Sequence, residues 1–593
     1  MKELEYPFDA RYIIKKKKSL KRELLAKECK YVEKKIAVLG GSTTHDIITI
    51  LELFLLNTGI KPTFYECEYA QFWEEIMFEN KELEEFAPDL IYFHTSNRNI
   101  RNYPEIGMSA EQTDDLLKSE FERYKIMWEK ASNTYHCPII QNNFEFPFYR
   151  LMGNLEATHV NGRVRFINRL NDMFADYAAQ KKDFYIQDIQ YLSALYGIDK
   201  WSDPLYWHMY KYALSMEAIP SLSYNLSNII KSIYGKNKKV LTLDLDNTLW
   251  GGIVGDDGPE NLAIGPETSM GQVYSEFQDY IRRHKDIGVI LTVDSKNDYE
   301  NAIAGLNHPD GVLKSDDFVM IKANWDPKSK NLADMASSLN LLPESFVFVD
   351  DNPAEREIIS SQINGCAVPE IGSVEEYIRI LDHSGFFEVT SLSADDAKRN
   401  EMYKANALRS VAMDSFADYG EYLNSLEMTA VIDSFETVYL DRITQLTNKS
   451  NQFNVTTKRY SRPEIEEVAN SDEYIDLYGK LMDKFGDNGV VSVVIGHKSG
   501  EVLDIDLWIM SCRVLKRDME FAMMDVLAQK SRAQGLKKIK GYYYPTAKNN
   551  MVRDLYGQLG FEKISEDEEG NSVFEFDLTK EYTNQNSHIK VNI

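Results

Sequence analysis

Cysteine is scarce in this chain, with five in 593 residues (Cys29, Cys67, Cys137, Cys366 and Cys512), an odd number that includes no Cys-x-x-Cys pair. A disulfide framework and a cysteine zinc site are therefore not indicated, and a reducing, cytoplasmic setting is the simplest expectation. Long apolar runs are missing too. No stretch reaches about 18 residues without a charge, and the amino terminus lacks an apolar signal core, so neither a membrane span nor an export signal is expected. Basic residues are also in deficit, 67 against 93 acidic for a net charge of -26. That balance opposes general binding to nucleic acid or to anionic membranes unless a local patch reverses it.

What is present is enough length for three or four domains and 43% hydrophobic residues, a globular composition. Residues 1–34 read as a helical lead-in with a basic run, Lys15 to Lys18 with Lys21 and Arg22. Such a run is either a solvated helix face or a dock for an acidic partner. The remaining segments are 35–235, 236–390, 391–580 and a polar tail, 581–593, expected to be disordered. The hinge before the central segment is Gly235-Lys-Asn-Lys-Lys239.

In the first large segment, apolar runs at 36–39, 63–65, 90–93 and 138–140 alternate with helix-length stretches such as 47–56 and 110–131. This is the pattern of a doubly wound parallel α/β sheet. Gly40-Gly-Ser-Thr-Thr44 follows the first strand and Ser96-Asn97 a later one. These resemble the nucleophile block and oxyanion-hole Asn of SGNH (GDSL-type) hydrolases, which makes Ser42 and Asn97 candidates. That family's Asp and His lie three apart, whereas Asp203 and His208 here lie five apart. Ser42 can equally cap the next helix, with the domain used for binding or support.

The central segment carries the densest chemistry. Val240-Leu-Thr-Leu-Asp-Leu-Asp-Asn-Thr-Leu-Trp-Gly-Gly252 ends an apolar strand on two carboxylates, Asp244 and Asp246. Ser295, Lys328 and the pair Asp350-Asp351 follow in order, each near the carboxyl end of an expected strand or the start of a helix. Ligands of open α/β sheets bind at that edge. Phosphoryl transfer needs such a set: a carboxylate nucleophile, further carboxylates for a magnesium ion, and a hydroxyl and lysine for the phosphate oxygens.

The order Asp-x-Asp-x-Thr, Ser, Lys, Asp-Asp resembles the haloacid-dehalogenase-like (HAD) superfamily. Longer motifs resemble its FkbH-like family, subfamily IIIC: 243–258, Ser295-Lys-Asn297, Asn324-Trp-Asp-Pro-Lys328 and 348–356, then 445–454, 485–489, 511–514 and 545–549. The resemblance implies a HAD-like Rossmannoid domain with a minimal cap. It makes Asp244 the nucleophile and Asp246 the general acid/base, also lending a metal ligand. Ser295 and Lys328 hold phosphate, and Asp350 and Asp351 complete the Mg2+ site. It further implies an enzyme that takes a glyceryl unit from 1,3-bisphosphoglycerate, removes phosphate and loads the acyl group onto an acyl carrier protein. A plain phosphatase on a small phosphorylated metabolite, and a carrier-binding module, remain as alternatives.

Short connections between these motifs leave no room for a large lid, which suits a phosphate delivered on a protein-borne arm. One position departs from the pattern. The family has Cys before Ser295, a carrier for the acyl group as a thioester, and here Asp294 stands there. A carboxylate cannot replace that thiolate, so the acyl group passes directly to the carrier thiol, with Asp294 as a possible base, or the substrate differs. Cys512 is the other thiol near a family motif.

In the last segment, residues 490–495 and 502–510 alternate as strands, a helix is expected over 519–534, and Tyr556 to Phe561 resembles the helix-end motif of N-acetyltransferase-like (GNAT) folds. The coenzyme A loop of that fold carries glycines where Arg513-Val-Leu-Lys-Arg-Asp518 has Lys516 and Asp518. Arg513, Lys516 and Arg517 are candidate contacts to a carrier's phosphopantetheine, or structural residues.

Overall fold

Five parallel strands form the first sheet: β1 (Val32–Gly40), β2 (Ile60–Glu66), β3 (Leu90–His94), β4 (Ile139–Asn142) and β5 (Phe184–Gln187), in the order β2-β1-β3-β4-β5. β3 is buried throughout, as a parallel strand covered on both faces must be. β5 was not anticipated: it is four residues long and only half buried, so it lacks a continuous apolar run. The computed structural model describes residues 1–593 except 28–30, 414, 415, 417, 451, 547 and 593. Cys29, Asn451 and Ala547 thus lie outside the described residues. No helix among the described residues is long and apolar enough to cross a membrane. The chain divides into two compact units, Met1–Ile233 with Ser461–Pro463, and Tyr234–Tyr460 with Glu464–Ile593.

In the first unit, helix Ala10–Leu25 buries Ile13, Leu20 and Leu24 against helix His45–Asn57. Its basic run is partly taken up by that neighbour, Lys17 pairing with Asp46 at 2.7 Å and Lys21 with Glu52 at 2.7 Å. Those lysines are packing partners of the adjoining helix rather than a free basic face.

The second unit begins with four parallel strands, β6 (Val240–Leu243), β7 (Ile290–Ser295), β8 (Met320–Ala323) and β9 (Phe346–Val349), ordered β8-β7-β6-β9. Between β6 and helix Ser269–His284 stand only the short helices Val254–Asp257 and Pro259–Asn261, a minimal cap. Helix Lys328–Ser338 starts directly after Pro327, a residue that keeps Asp326 out of helical conformation and so fixes Lys328 at the first turn.

The second sheet of this unit contains β10 (Met428–Asp433), β11 (Phe453–Asn454), β12 (Tyr474–Asp483), β13 (Gly486–Ser499), β14 (Val502–Met510), β15 (Lys538–Tyr543), β16 (Glu562–Glu566), β17 (Ser572–Asp577) and β18 (Ile589–Asn592). Its order is β16-β17-β15-β14-β13-β12-β10-β18, antiparallel apart from the parallel pairs β14–β15 and β10–β18. With helix Met519–Ala533 this is the GNAT-like α+β arrangement. The expectation of a disordered tail over 581–593 is corrected. β18 pairs with β10 from Met428 to Val431, and the Asp525 carboxylate accepts the backbone N–H groups of Gln585 and Asn586 at 2.9 and 3.0 Å. Four polar-flanked residues whose partner lies far upstream give no local strand signal.

Candidate functional site

The register of the central sheet sets three carboxylates in a row. Leu243 on β6 lies level with Val293 on β7 and with Val349 on β9, so the next residues, Asp244, Asp294 and Asp350, stand abreast at the carboxyl edge. Asp244 continues the ladder, its backbone N–H donating to Val349 O at 2.9 Å. Opposite them, helix Lys328–Ser338 presents Lys328 and Asn331, three residues apart and therefore on one face. The Lys328 ammonium sits 3.0 Å from Asp244 Oδ1 and 2.5 Å from Asp350 Oδ2. Asn331 Nδ2 donates to Asp294 Oδ1 at 3.0 Å.

Asp351 completes an acidic triad. Carboxylate oxygens of Asp244, Asp350 and Asp351 all lie within 4.8 Å of one another. Thr248 holds Asp351 from both sides, its hydroxyl donating to Oδ1 at 3.3 Å and accepting the backbone N–H at 3.1 Å. Arg356 donates to the carbonyls of Asp350 and Asp351 at 2.8 Å each. Three hard oxygen donors against one ammonium leave surplus negative charge, a donor set suited to a divalent cation.

Asp246 faces elsewhere. Its Oδ1 accepts from Trp250 Nε1 at 2.9 Å and Val254 N at 3.0 Å, and its Oδ2 from Asn297 Nδ2 at 3.0 Å. Trp250 and Asn297 were missed as positioning residues; the signal was present, since each sits inside a quoted motif. Ser295 ends β7, buried beside Asp294.

Burial governs the ionisation of the site. It raises Asp246 and, with the charge of Asp244, Asp351. Burial, then Asp244, pushes Asp350 up to about 6 against the pull of Lys328. Lys328 is opposed by its burial yet held above the ordinary lysine range by Asp244 and Asp350. Asp294, fully buried, is pushed up to about 8 chiefly by desolvation, and its Oδ2 has no hydrogen-bond partner. At neutral pH it is mostly the neutral acid, which weakens its reading as a ready base.

The candidates of the third segment do not join this edge. The third segment meets the central sheet at the opposite end of its strands: Asn400 bonds Val289 O and Leu291 N, and Lys548 pairs with Glu344 ahead of β9 at 2.5 Å. Cys512 packs there, its sulfur 3.3 Å from the Tyr403 hydroxyl. Arg513 is buried against Ser511 Oγ and the Met402 sulfur, and Arg517 is buried between Asp483 and Asn406. Lys516 is exposed but lies on the same remote loop. Asp294 thus stands apart from Arg513 and Lys516, and of the two readings of the loop cations the burial of Arg513 and Arg517 favours the structural one.

That loop keeps a glycine-like backbone without glycine, Lys516 and Asp518 having φ of 63° and 59°. Left-handed non-glycine residues are strained, and the Asp518 carboxylate at the start of helix Met519–Ala533 opposes an anion there. The slot between β14 and β15 is also filled. These strands pair only from Val502 to Asp504, and beyond them β11 enters, pairing with Ile509 and Met510. Val455 takes up Trp508 O and Tyr544 N, while Asn549 Nδ2 bonds Asn454 O at 2.9 Å. The chain's own segment thus occupies both facing edges.

In the first unit, Ser42 is buried with no partner for its Oγ, and Thr44 rather than Ser42 takes the cap position of helix His45–Asn57. Asp203 is used as a helix cap, accepting from Leu205 N at 2.8 Å and Tyr206 N at 3.3 Å, and His208 is exposed. No hydrolase triad is assembled around Ser42 among the described residues. Asn97 instead donates its backbone N–H to Glu145 at 3.1 Å.

Burial pushes the Glu145 carboxyl up to about 7 from an ordinary 4.5, offset by the N–H groups of Glu145 and Asn97 and by Arg98. A carboxyl raised in the folded state contributes most at low pH, and that contribution is lost as pH climbs through the folded value. Glu145→Gln is therefore expected to gain up to about 3 kcal/mol relative to the parent between pH 4.5 and 8. Denaturant midpoints at the two pH values measure it, and a pH-independent difference refutes it.

Comparison with known proteins places this geometry. Residues 35–231 match the family model described as FkbH, N-terminal domain. No curated protein sequence matches. Among solved structures, the chain is similar to the N-terminal part of the protein BF1531 from Bacteroides fragilis, containing a phosphatase domain complexed with Mg. The identity is 28% and the TM-score 0.59, covering 63% of this chain and 99% of that one. Weaker likenesses are to the ribosomal-protein-S18-alanine N-acetyltransferase of Escherichia coli (13% identity, TM-score 0.21, 27% of this chain and 100% of that one) and to the spermidine N-acetyltransferase of Vibrio cholerae (14%, TM-score 0.22, 26% and 97%). The resemblance to FkbH-like proteins is thereby supported, and so is a multi-region α/β fold with a phosphatase-type domain at its centre.

Proposed function

We propose that this FkbH-like chain is a magnesium-dependent HAD-type phosphatase that loads a glycerate-like unit onto an acyl carrier protein. The observation that carries the phosphoryl chemistry is the cluster of buried Asp244 and Asp350, both paired with Lys328, and half-buried Asp351. Asp244, Asp350 and Asp351 with the carbonyl of Asp246 would hold the Mg2+, which offsets repulsion between the carboxylate nucleophile and an anionic phosphate. The ammonium of Lys328 and the hydroxyl of Ser295 bind the phosphoryl oxygens.

With a 1,3-bisphosphoglycerate-like donor, two bonds of the donor break and one to Asp244 forms and is then hydrolysed. The carrier thiolate attacks the C1 carbonyl, the C1–O bond breaks and inorganic phosphate leaves. An Asp244 oxygen attacks the phosphorus of the C3 ester, the P–O bond breaks and Asp246 gives the leaving alkoxide its proton. Water, deprotonated by Asp246, then releases phosphate from Asp244.

Mass spectrometry of a phosphopantetheinylated carrier after incubation with enzyme, Mg2+ and 1,3-bisphosphoglycerate tests the reading: a glyceryl adduct supports it. Phosphate release with no adduct supports instead a plain phosphatase, the reading favoured by Asp294 in place of a thiol. Direct transfer to the carrier leaves no acyl group on the parent enzyme. Asp294→Cys puts a thiol abreast of Asp244, so an enzyme-bound acyl adduct is expected in the variant alone by intact-protein mass. Its absence under turnover removes that position from the acyl path.

A further inference from the structure

The chain is strongly acidic, yet two segments of its first unit carry almost no acid. Residues 146–171 carry Arg150, Arg163, Arg165 and Arg169 against a single acid, Glu156, and residues 204–215 carry Lys211 and no acid; of these cations Arg169 is taken up by Asp114 at 2.6 Å. Glu156 is buried and spent on the backbone N–H groups of Met152, Arg163 and Val164. Glu145, also buried, bonds the Asn97 N–H. Asp203, just ahead of the second segment, is spent on its helix cap.

Each of these segments packs against residues 97–103 through aromatic rings. The Arg98 guanidinium lies 4.5 Å from the centre of the Trp207 ring, and Lys211 Nζ lies 5.6 Å from the same centre. Arg163 stands 4.9 Å from the Tyr103 ring and donates to the Tyr149 hydroxyl at 2.9 Å, while the Tyr103 hydroxyl donates to Asn97 O at 2.8 Å. Among the described residues, no carboxylate comes within ion-pair distance of Arg98, Arg150, Arg163 or Lys211. In a chain with 93 acids, four clustered cations left without an acid are not what composition alone would give. On the same two segments large apolar side chains stand in solvent: Leu151 (72% exposed), Leu205 (61%), Met209 (57%), Tyr210 and Phe148.

Arginine and aromatic anchors rimmed by apolar groups are the composition of protein-binding surfaces. We propose that this face docks a small acidic protein, with Arg98, Arg163 and Lys211 meeting its carboxylates and Leu151, Leu205 and Met209 its apolar surface. Charge decides the class of partner. Screening at physiological salt acts over about 8 Å, and a small protein covers about 800 Å² per partner, so it meets the local cations and not the acidic remainder. A nucleic-acid duplex or a membrane extends past the patch into repulsion. On the reading above, that partner is the acyl carrier protein.

The test uses the full chain, a phosphopantetheinylated acyl carrier protein with an acidic surface, and three variants: Arg98→Glu, Arg163→Glu, and the pair Leu151→Ser/Met209→Ser, whose side chains are mostly exposed. Kd for the carrier is expected to rise at least tenfold in the charge reversals and several-fold in the exposed pair, with parental binding weakening steeply as salt increases. Phosphate release from a small phosphorylated substrate stays at the parental rate throughout. In the loading assay, KM for the carrier rises while kcat holds. Parental Kd and KM in all three variants overturn the docking face, as do absence of carrier binding by the parent and preference for anionic vesicles or duplex RNA. Carrier binding at this face with no glyceryl loading leaves the dock standing and removes the acyl-loading function instead.

Discussion

Asp244→Asn is expected to lose about 10⁴-fold or more in turnover while the protein folds and binds its partner as before. The amide has the shape of the carboxylate and keeps an oxygen toward Lys328, but it lacks the negative charge and nucleophilicity needed to take a phosphoryl group. The fold should not suffer. Asp244 sits among Asp350, Asp351 and Asp294, and the first two have carboxyls raised in part by its charge. Removing it relieves repulsion that one ammonium only partly offsets, so the melting temperature should stay level or rise in the absence of metal. Asp246→Asn makes the contrast. Its three hydrogen bonds from Trp250, Val254 and Asn297 hold the side chain in place, so an amide there costs a proton donor but not the nucleophile. About 10² to 10⁴-fold is expected for that loss. Steady-state phosphate release measures both. Residual turnover of Asp244→Asn within tenfold of the parent would mean that phosphoryl transfer does not pass through this residue.

The acids at the strand ends were legible because each follows an apolar run, and four such positions in a fixed order leave little room for accident. Their register was not. That Asp294 stands level with both Asp244 and Asp350 depends on the pairing of three strands more than a hundred residues apart at the extremes. Asn331 as the partner of Asp294 depends in turn on the phase of a helix across the sheet. The third segment misled in a different way. Arg513 and Arg517 were weighed as ligands because arginines near a phosphate-binding loop usually face solvent, whereas here Asp483 and Asn406 draw Arg517 inside. β11 and β18 are two and four residues long and pair with strands remote in sequence, so periodicity could not find the segment that fills the β14–β15 slot or the strand that orders the tail. The first unit's face was invisible for a related reason: Arg98, Arg163 and Trp207 are far apart in the chain and meet only through the rings between them.

Lys328→Met should damage both chemistry and stability, and the two losses should respond oppositely to conditions. The ammonium is 3% exposed and is lodged between Asp244 and Asp350. Met preserves the apolar stem and its packing near the Phe348 ring but leaves two carboxylates facing each other without a counter-charge. Breaking a buried ion pair from one side costs about 3–5 kcal/mol. The chain can escape part of that cost by protonating a carboxyl, and removal of the cation raises these carboxyls further. A raised acid loses stability as pH rises, so the deficit against the parent should be small near pH 5 and largest near pH 8. Magnesium acts in the other direction. A divalent ion bound by Asp244, Asp350 and Asp351 replaces the missing charge, so added Mg2+ should raise the melting temperature of the variant more than that of the parent, and EDTA should reverse the gain. Turnover should not recover with stability, since the variant still lacks the ammonium that would donate to the phosphoryl oxygens. A loss of about 10² to 10³-fold should persist at saturating Mg2+. Melting curves at pH 5 and 8, with Mg2+ or EDTA, separate the two roles. A variant as stable as the parent at pH 8 without metal would show that Lys328 does not neutralise this site. Full activity at saturating Mg2+ would show that it does not bind the phosphate.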